Sequence, residues 1–275
     1  MLDCRHFNDE KWGITIGLWL GTVVLLFPLF FVVITAFAPA DFKPSVNWIP
    51  SSFTFNNYVR AWTQAPFILA FVNSTIVALV VSFTQILTSL LAAYALARLN
   101  FPGKNTVLFM VIATLVIPFQ LLVLPIFLIL RFGHLINTYG ALILPTAASG
   151  FGIFWLRQYM ETIPNSLEEA AMLDGADRWQ ILWHIIFPLT RPAIVTLFLF
   201  AFIGEWNDLF KPLLFTTKPS LQTVQQVLAG FQELFTADWS LLMAAVVIGT
   251  IPVLVLFLVG QRQLLRGIAA TGLKN

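Results

Sequence analysis

The spacing of charged residues constrains this chain more than any other feature. Five stretches lack Asp, Glu, Lys and Arg altogether: 12–40, 61–97, 105–130, 132–156 and 239–261. A helix needs about 20 mostly apolar residues to cross a bilayer's hydrocarbon core, so each stretch can hold one crossing. The expected spans are 14–36, 75–97, 107–130, 138–156 and 240–260. Composition agrees: 59% of the 275 residues are hydrophobic and 10% are charged, against about 25% charged in ordinary soluble domains. So few charges cannot solvate so much apolar surface, and disorder needs the opposite balance. A net charge of +2 offers no electrostatic footprint for nucleic acid. The single cysteine, Cys4, cannot close an internal disulfide.

The remaining span, fifth in chain order, is ambiguous. Only 13 uncharged residues separate Arg191 from Glu205. Pro192 suits a first helical position, which needs no N–H. A span over 192–212 would then carry Glu205 and Asp208 in its outer half, three apart and on one helix face. The alternative ends the helix near Gly204 and leaves both acids in water. The first register makes six spans in an all-α membrane protein.

Basic residues in short loops orient such a chain. With the N-terminus inside, Arg5, Lys11, Arg98, Lys104, Arg157, Arg178, Arg191, Arg262, Arg266 and Lys274 lie inside. Lys43, Arg60, Arg131, Lys211 and Lys218 lie outside. Both termini are therefore expected in the cytoplasm. The first span reads as a retained anchor: its apolar run is long for a signal peptide, and Pro39 directly follows the cleavage-like Ala36-Phe37-Ala38. The chain reads as one membrane domain over 1–275, with a long inner connection at 157–191.

That connection is dense in helix signals. Pro164 disfavours helix at Ile163. Ser166 and Glu169 have capping-box spacing, and Glu168 and Glu169 fall where the helix dipole favours acids. Asp174-Gly175 offers a stop, with glycine free to adopt a left-handed cap. The signals predict a two-turn helix over 167–173, a tight turn, then a second apolar stretch from Trp179 to Phe187. So short a helix is unstable alone and needs a partner or a neighbouring helix.

The sequence Glu169-Ala170-Ala171, Asp174-Gly175-Ala176, then Ile186, Pro188 and Pro192 resembles the EAA loop of ABC-importer permeases. Asn73-Ser74, the run from Ala92 to Arg98, Phe101-Pro102-Gly103-Lys104, Ile117-Pro118-Phe119-Gln120, Asn137-Thr138-Tyr139-Gly140, Trp206-Asn207-Asp208 and the 261–274 tail resemble the carbohydrate-importer branch, in particular its smaller, maltose-type permease. The resemblance implies a type I ABC importer permease fold in the bacterial inner membrane. It implies a second permease subunit, two ATP-binding subunits and an extracytoplasmic solute-binding protein as partners. ATP and Mg would sit on the partner subunits, with no cofactor and no enzymatic centre on this chain. Ser166, Glu168, Glu169, Ala170, Ala171, Asp174, Gly175 and Ala176 would form the coupling helix and its turn. Glu169 would make the polar contact to the ATPase, and Gly175 would set the angle to the next helix.

The residues agree that energy is borrowed. No G-x-x-x-x-G-K-[ST] phosphate loop is present, since Gly103-Lys104 is followed by Asn105. His6, His134 and His184 lie in different segments and suggest no shared metal site. Candidates for the solute path are Asn73, Ser74, Gln85, Gln120, Glu205, Trp206, Asn207 and Asp208. Gln120 follows Pro118 and precedes Pro125, and prolines within a span kink it and free carbonyls. An amide facing lipid is costly, so Gln85 and Gln120 should face a path or another helix. The Ser and Thr hydroxyls can instead bond their own helix. An ion-coupled secondary transporter, with Glu205 and Asp208 as carriers, is the alternative. The identity of the solute stays open.

Overall fold

The computed structural model describes residues 6–40, 42, 48–234 and 238–272. Cys4, Arg5, Lys43 and Lys274 lie outside the described residues, as do the side chains of His6, Lys11 and Arg266. Among the described residues, every regular element is helical. Four helices are long and apolar enough to cross a membrane: Trp12–Ala36, Phe67–Arg98, Arg178–Trp206 and Trp239–Leu264. Two bent pairs bring the count to six if each is one span.

The chain packs as two compact units, Met1–Pro66 with Leu228–Ile251 and Phe67–Val227 with Pro252–Asn275. The first unit contains α1 (His6–Ala36) and α2 (Asn56–Gln64). Side chains from Trp12 to Phe30 are exposed on all sides, so lipid or another membrane chain must cover them. The end of α1 is fastened by polar bonds. Buried Asn57 donates from Nδ2 to the carbonyls of Ala36 (3.0 Å) and Ala38 (2.6 Å), and Arg60 pairs with Asp238 at 2.9 Å.

The second unit is built around α3 (Phe67–Arg98), which packs against α7 (Gly150–Met160) and the helix Arg178–Trp206. Leu90, Ala93 and Tyr94 of α3 meet Leu156 and Met160 of α7 and Ile186 and Leu197 beyond them. The close approach requires glycine. A Cβ on Gly152 would collide with Ser89 Oγ and lie 3.1 Å from Leu197 Cδ2. Gly152→Val is expected to destabilise the purified chain by about 1–3 kcal/mol, the usual cost of overpacking a filled core, read as a lowered unfolding temperature in detergent.

Three spans depart from their expected form. The third is two arms, α4 (Lys104–Thr114) and α5 (Phe119–Phe132), bent by 100°. Pro118 drives Ile117 out of helical conformation and restarts the helix from an extended backbone, so this is a break where a kink was expected. The fourth divides into α6 (Tyr139–Ile143), continued by a turn to Thr146, and α7, with a 43° bend. Ser149 Oγ accepts the Gly152 N–H at 3.2 Å and restarts the helix.

The fifth span corrects the register. It does not open at Pro192. It begins with α9 (Arg178–Ile181), widens into a π-turn at Leu182–Ile186, and continues as α10 (Phe187–Trp206). Pro188 and Pro192 sit inside it. A proline ring clashes with the carbonyl four residues back, which for Pro188 is His184 in the π-turn, and the wider turn relieves that crowding. The helix ends at Trp206 because Asp208 caps the next one, α11 (Phe210–Phe215), accepting the N–H groups of Phe210 (2.9 Å) and Lys211 (3.3 Å). Asp208 is therefore outside the helix that holds Glu205.

Candidate functional site

The predicted two-turn helix is present as α8, Ser166–Leu173. Its start differs from the expected one. Asn165 already has helical backbone angles (φ −65°, ψ −26°) and no side-chain cap bond forms, so Ser166 is the first helical residue and the Ser166–Glu169 capping box is not made. The capping box lies at the next helix: Asp177 Oδ1 accepts the Gln180 N–H (2.7 Å) and Gln180 Oε1 accepts the Asp177 N–H (2.9 Å). The stop is a Schellman turn. Gly175 has φ +86°, its N–H bonds to Met172 O (3.1 Å), and the Ala176 N–H bonds to Ala171 O (2.9 Å). Asp174 is the exposed residue at the cap.

The two adjacent acids of α8 lie in different environments. Glu168 is only 4% exposed, and its carboxylate pairs with Arg98 Nε at 2.6 Å and with Arg178 at 4.0 Å. Burial pushes the Glu168 carboxyl above its ordinary range, and the two arginines partly counter that. Glu169 is exposed. Ala171 and Ala176 pack on the core, while Leu167, Ala170 and Leu173 form an exposed ridge. Leu173 is 90% exposed, an unusual position for a large apolar side chain on a loop helix between spans.

A second charged feature occupies the break between α10 and α11. Lys211 is buried, and its Nζ lies 2.5 Å from Glu205, 3.4 Å from Asp208, 2.7 Å from Thr146 Oγ1 and 3.3 Å from Leu142 O. Two carboxylates and one ammonium leave the group one unit negative when all are ionised. Neither expected register of the fifth span described this: the acids are neither free within a helix nor in bulk water. Sequence reading placed Lys211 among the outer basic residues. Its distance of three and six residues from the two acids was the available signal.

Beside this group lies an open recess of about 260 Å³ lined by Phe119, Gln120, Thr146, Glu205 and Phe210 among others. A second, of about 210 Å³, shares Gly204 and Glu205 and includes Gln85, Ser149 and Phe200. The structure thus brings Gln85, Gln120, Glu205 and Asp208 to one region. Gln85 donates to Thr146 O at 2.7 Å.

Asn73, Ser74 and Trp206 do not join that region. Asn73 is fully buried, donating to Ser220 O (3.0 Å) and Gln222 O (2.8 Å) and accepting from Tyr139 OH (2.6 Å). Ser74 Oγ accepts the Val224 N–H at 2.9 Å. These bonds fasten the returning segment after α11 to α3. Trp206 is buried between Phe202 and Phe71, stacked at 5.8 and 5.9 Å. Asn207 is exposed and accepts from Gln225 at 3.3 Å. Sequence reading placed Asn137 in a family-like segment but gave it no role. Its left-handed backbone (φ 64°) aims Oδ1 at the N–H groups of Thr217 (2.6 Å) and Lys218 (3.2 Å).

Residues 85–269 match the family described as the binding-protein-dependent transport system inner membrane component. The chain belongs to this family. The permease is 35% identical over 255 residues to the sulfoquinovosyl glycerol transport system permease protein of Agrobacterium fabrum, covering 91% of this chain and 89% of the relative. It is 30% identical over 250 residues to the diacetylchitobiose uptake system permease protein of Streptomyces coelicolor, covering 89% and 83%. It is 32% identical over 262 residues to the sn-glycerol-3-phosphate transport system permease protein of Shigella flexneri, covering 90% and 92%. Its fold matches a chain in the crystal structure of a bacterial ABC transporter involved in import of the acidic polysaccharide alginate, with a TM-score of 0.78 at 24% identity, over 93% of this chain and 97% of that one. A chain from the crystal structure of a bacterial alginate ABC transporter in complex with an alginate pentasaccharide-bound periplasmic protein matches with a TM-score of 0.68 at 16% identity, over 93% and 95%. The permease is a multi-pass inner-membrane protein with an ABC importer permease fold. The ion-coupled alternative is not favoured, because the family and the relatives are binding-protein-dependent and other transport-system permeases.

Proposed function

We propose that this permease forms half of the translocation path for a hydroxyl-rich, sugar-like solute and is driven by separate ATP-binding subunits docked on α8. The observation that carries the reading is the exposed ridge of Leu167, Ala170 and Leu173 on a helix whose other side is anchored by Glu168. An exposed apolar ridge rimmed by polar groups marks a protein–protein contact, and the small Ala170 allows a groove wall to approach. Glu169, exposed beside the ridge, supplies the polar contact, and Gly175 and Ala176 fix the turn to the next helix.

The excess of basic residues on the side of α8 supports a cytoplasmic placement for α8 and both termini. A second permease chain closes the other half of the path, and a solute-binding protein delivers from outside. ATP and Mg belong to the ATP-binding subunits. The recesses at Gln85, Gln120 and Glu205 supply amide and carboxylate partners for hydroxyl groups, with Phe119 and Phe210 as apolar walls for sugar rings. The substrates named for the three relatives are all glycosides or glycerol derivatives, which supports the same class here.

Mild-detergent purification of the tagged chain from its native membrane tests the reading. A second permease and an ATP-binding pair are expected in stoichiometric yield, with ATP-dependent solute uptake once reconstituted. A lone chain that moves solute without ATP would overturn it.

A further inference from the structure

Arg98 is the last residue of α3, and its guanidinium reaches three segments at once. Nε meets Glu168 Oε1 of α8 at 2.6 Å. Nη2 donates to Met160 O (2.7 Å), at the end of α7, and to Ile163 O (2.6 Å) in the turn beyond. Nη1 donates to Asn165 Oδ1, immediately before α8. The Arg98 and Glu168 side chains are 8% and 5% exposed. Both Nη nitrogens donate hydrogen bonds, while Nε and Glu168 Oε1 meet as an ion pair without hydrogen-bond geometry, and the positive charge lies against the carbonyl end of α7, where the helix dipole favours a cation.

We propose that Arg98 is the positioning residue that joins the docking helix rigidly to α3, so that displacement of α8 is carried into the spans. The proposal rests on the reading of α8 as the docking helix. Its physical basis is that α8 itself is short. Eight residues have little helical stability of their own, and the outer ridge offers nothing to transmit a push inward. Among the described residues, the inward connections include the Glu168–Arg98 pair at 2.6 Å, the longer Glu168–Arg178 pair at 4.0 Å, the Asn165–Arg98 bond and the small Ala171 and Ala176 contacts. A planar fork engaged by a carboxylate, an amide and two carbonyls resists rotation as well as translation, which a single point charge does not. On the same helix, 13 residues before Arg98, stands Gln85, which lines the recess beside Glu205. At 1.5 Å per residue this is a lever of about 20 Å in one continuous helix. A packed helix moves as a body between discrete arrangements, so clamping α8 to its end ties the docking surface to the solute region.

The test compares complexes reconstituted with their partner subunits, carrying Arg98→Lys, Glu168→Gln or the control Glu161→Gln. Glu161 pairs with Arg157, one turn earlier on α7, at 2.7 Å. The readout is solute moved per ATP hydrolysed, which a loss of folded complex alone would not change. Arg98→Lys keeps the charge but not the fork, and the ratio is expected to fall at least tenfold while ATP hydrolysis persists. Glu168→Gln keeps the shape and loses the charge, with an expected fall of at least threefold. The control is expected to match the unsubstituted chain. If Arg98→Lys fails to assemble, Glu168→Gln decides by the same ratio. An unchanged ratio in the assembled variants would overturn the clamp. Absence of ATP-dependent transport by the unsubstituted complex would instead overturn the docking reading, so the two failures are distinguishable.

Discussion

Lys211→Met is expected to cost the permease about 3–5 kcal/mol, the usual penalty for removing one partner of a buried ion pair. A typical domain has only about 5–15 kcal/mol in total, so the variant should keep a much narrower margin and unfold at a markedly lower temperature. The Lys211 side chain is 4% exposed. Its loss leaves Glu205 beside Asp208 with no cation among their described partners, and leaves Thr146 and the Leu142 carbonyl without their charged donor. The penalty comes from the stranded carboxylate rather than from the lost attraction. Adding Glu205→Gln to Lys211→Met is therefore expected to recover a substantial part of the stability, since a neutral amide is less costly to bury than an unpaired charge. Unfolding temperatures of the two single variants and the double variant in one detergent form the cycle that measures this coupling. Equal losses in Lys211→Met and the double variant would show that Lys211 does not act by neutralising Glu205.

Leu173→Asp should have the opposite profile. Leu173 is 90% exposed, and surface substitutions away from packed features usually stay within about 0.5 kcal/mol. The variant is expected to insert and fold normally. Docking is where the loss should appear. A central apolar anchor at a protein interface carries about 2–4 kcal/mol, and a carboxylate there would also have to be desolvated. Affinity for the ATP-binding subunits is expected to fall roughly 30- to 1,000-fold, with ATP-driven uptake lost in proportion. Binding of the purified variant to isolated ATP-binding subunits measures this directly. Normal affinity would remove the 167–173 ridge from the interface.

The span pattern was legible because a bilayer penalises charge wherever it occurs, so long uncharged runs mark crossings without reference to neighbours. The place of the disruption at Pro118, though not its 100° extent, and the stop at Gly175 were legible for a similar local reason. Proline limits the residue before it, and glycine alone takes φ +86° without strain. The π-turn was not legible, because Pro192 satisfies the rule for a helix start equally well. Only the continuous packing of Arg178–Trp206 against α3 places it inside a helix.

Sequence patterning thus gave access to the membrane class, the uncharged runs that the long helices occupy and the position of the short helix α8, because each depends on the chemistry of a contiguous stretch. Patterning alone could not separate the two acids of α8, although the family resemblance singled out Glu169, because Glu168 and Glu169 are chemically alike and differ only by about 100° of helix rotation. Arg98, 70 residues earlier, selects the one that turns inward. Glu205 likewise looked like an unpaired acid until folding brought Thr146 and Lys211 together, 65 residues apart in the chain. Asn73 looked like a path residue until the 219–224 segment returned to take its bonds. A polar side chain in a membrane must find partners, and that requirement is local. Which partners it finds depends on chain segments brought together only by the completed packing.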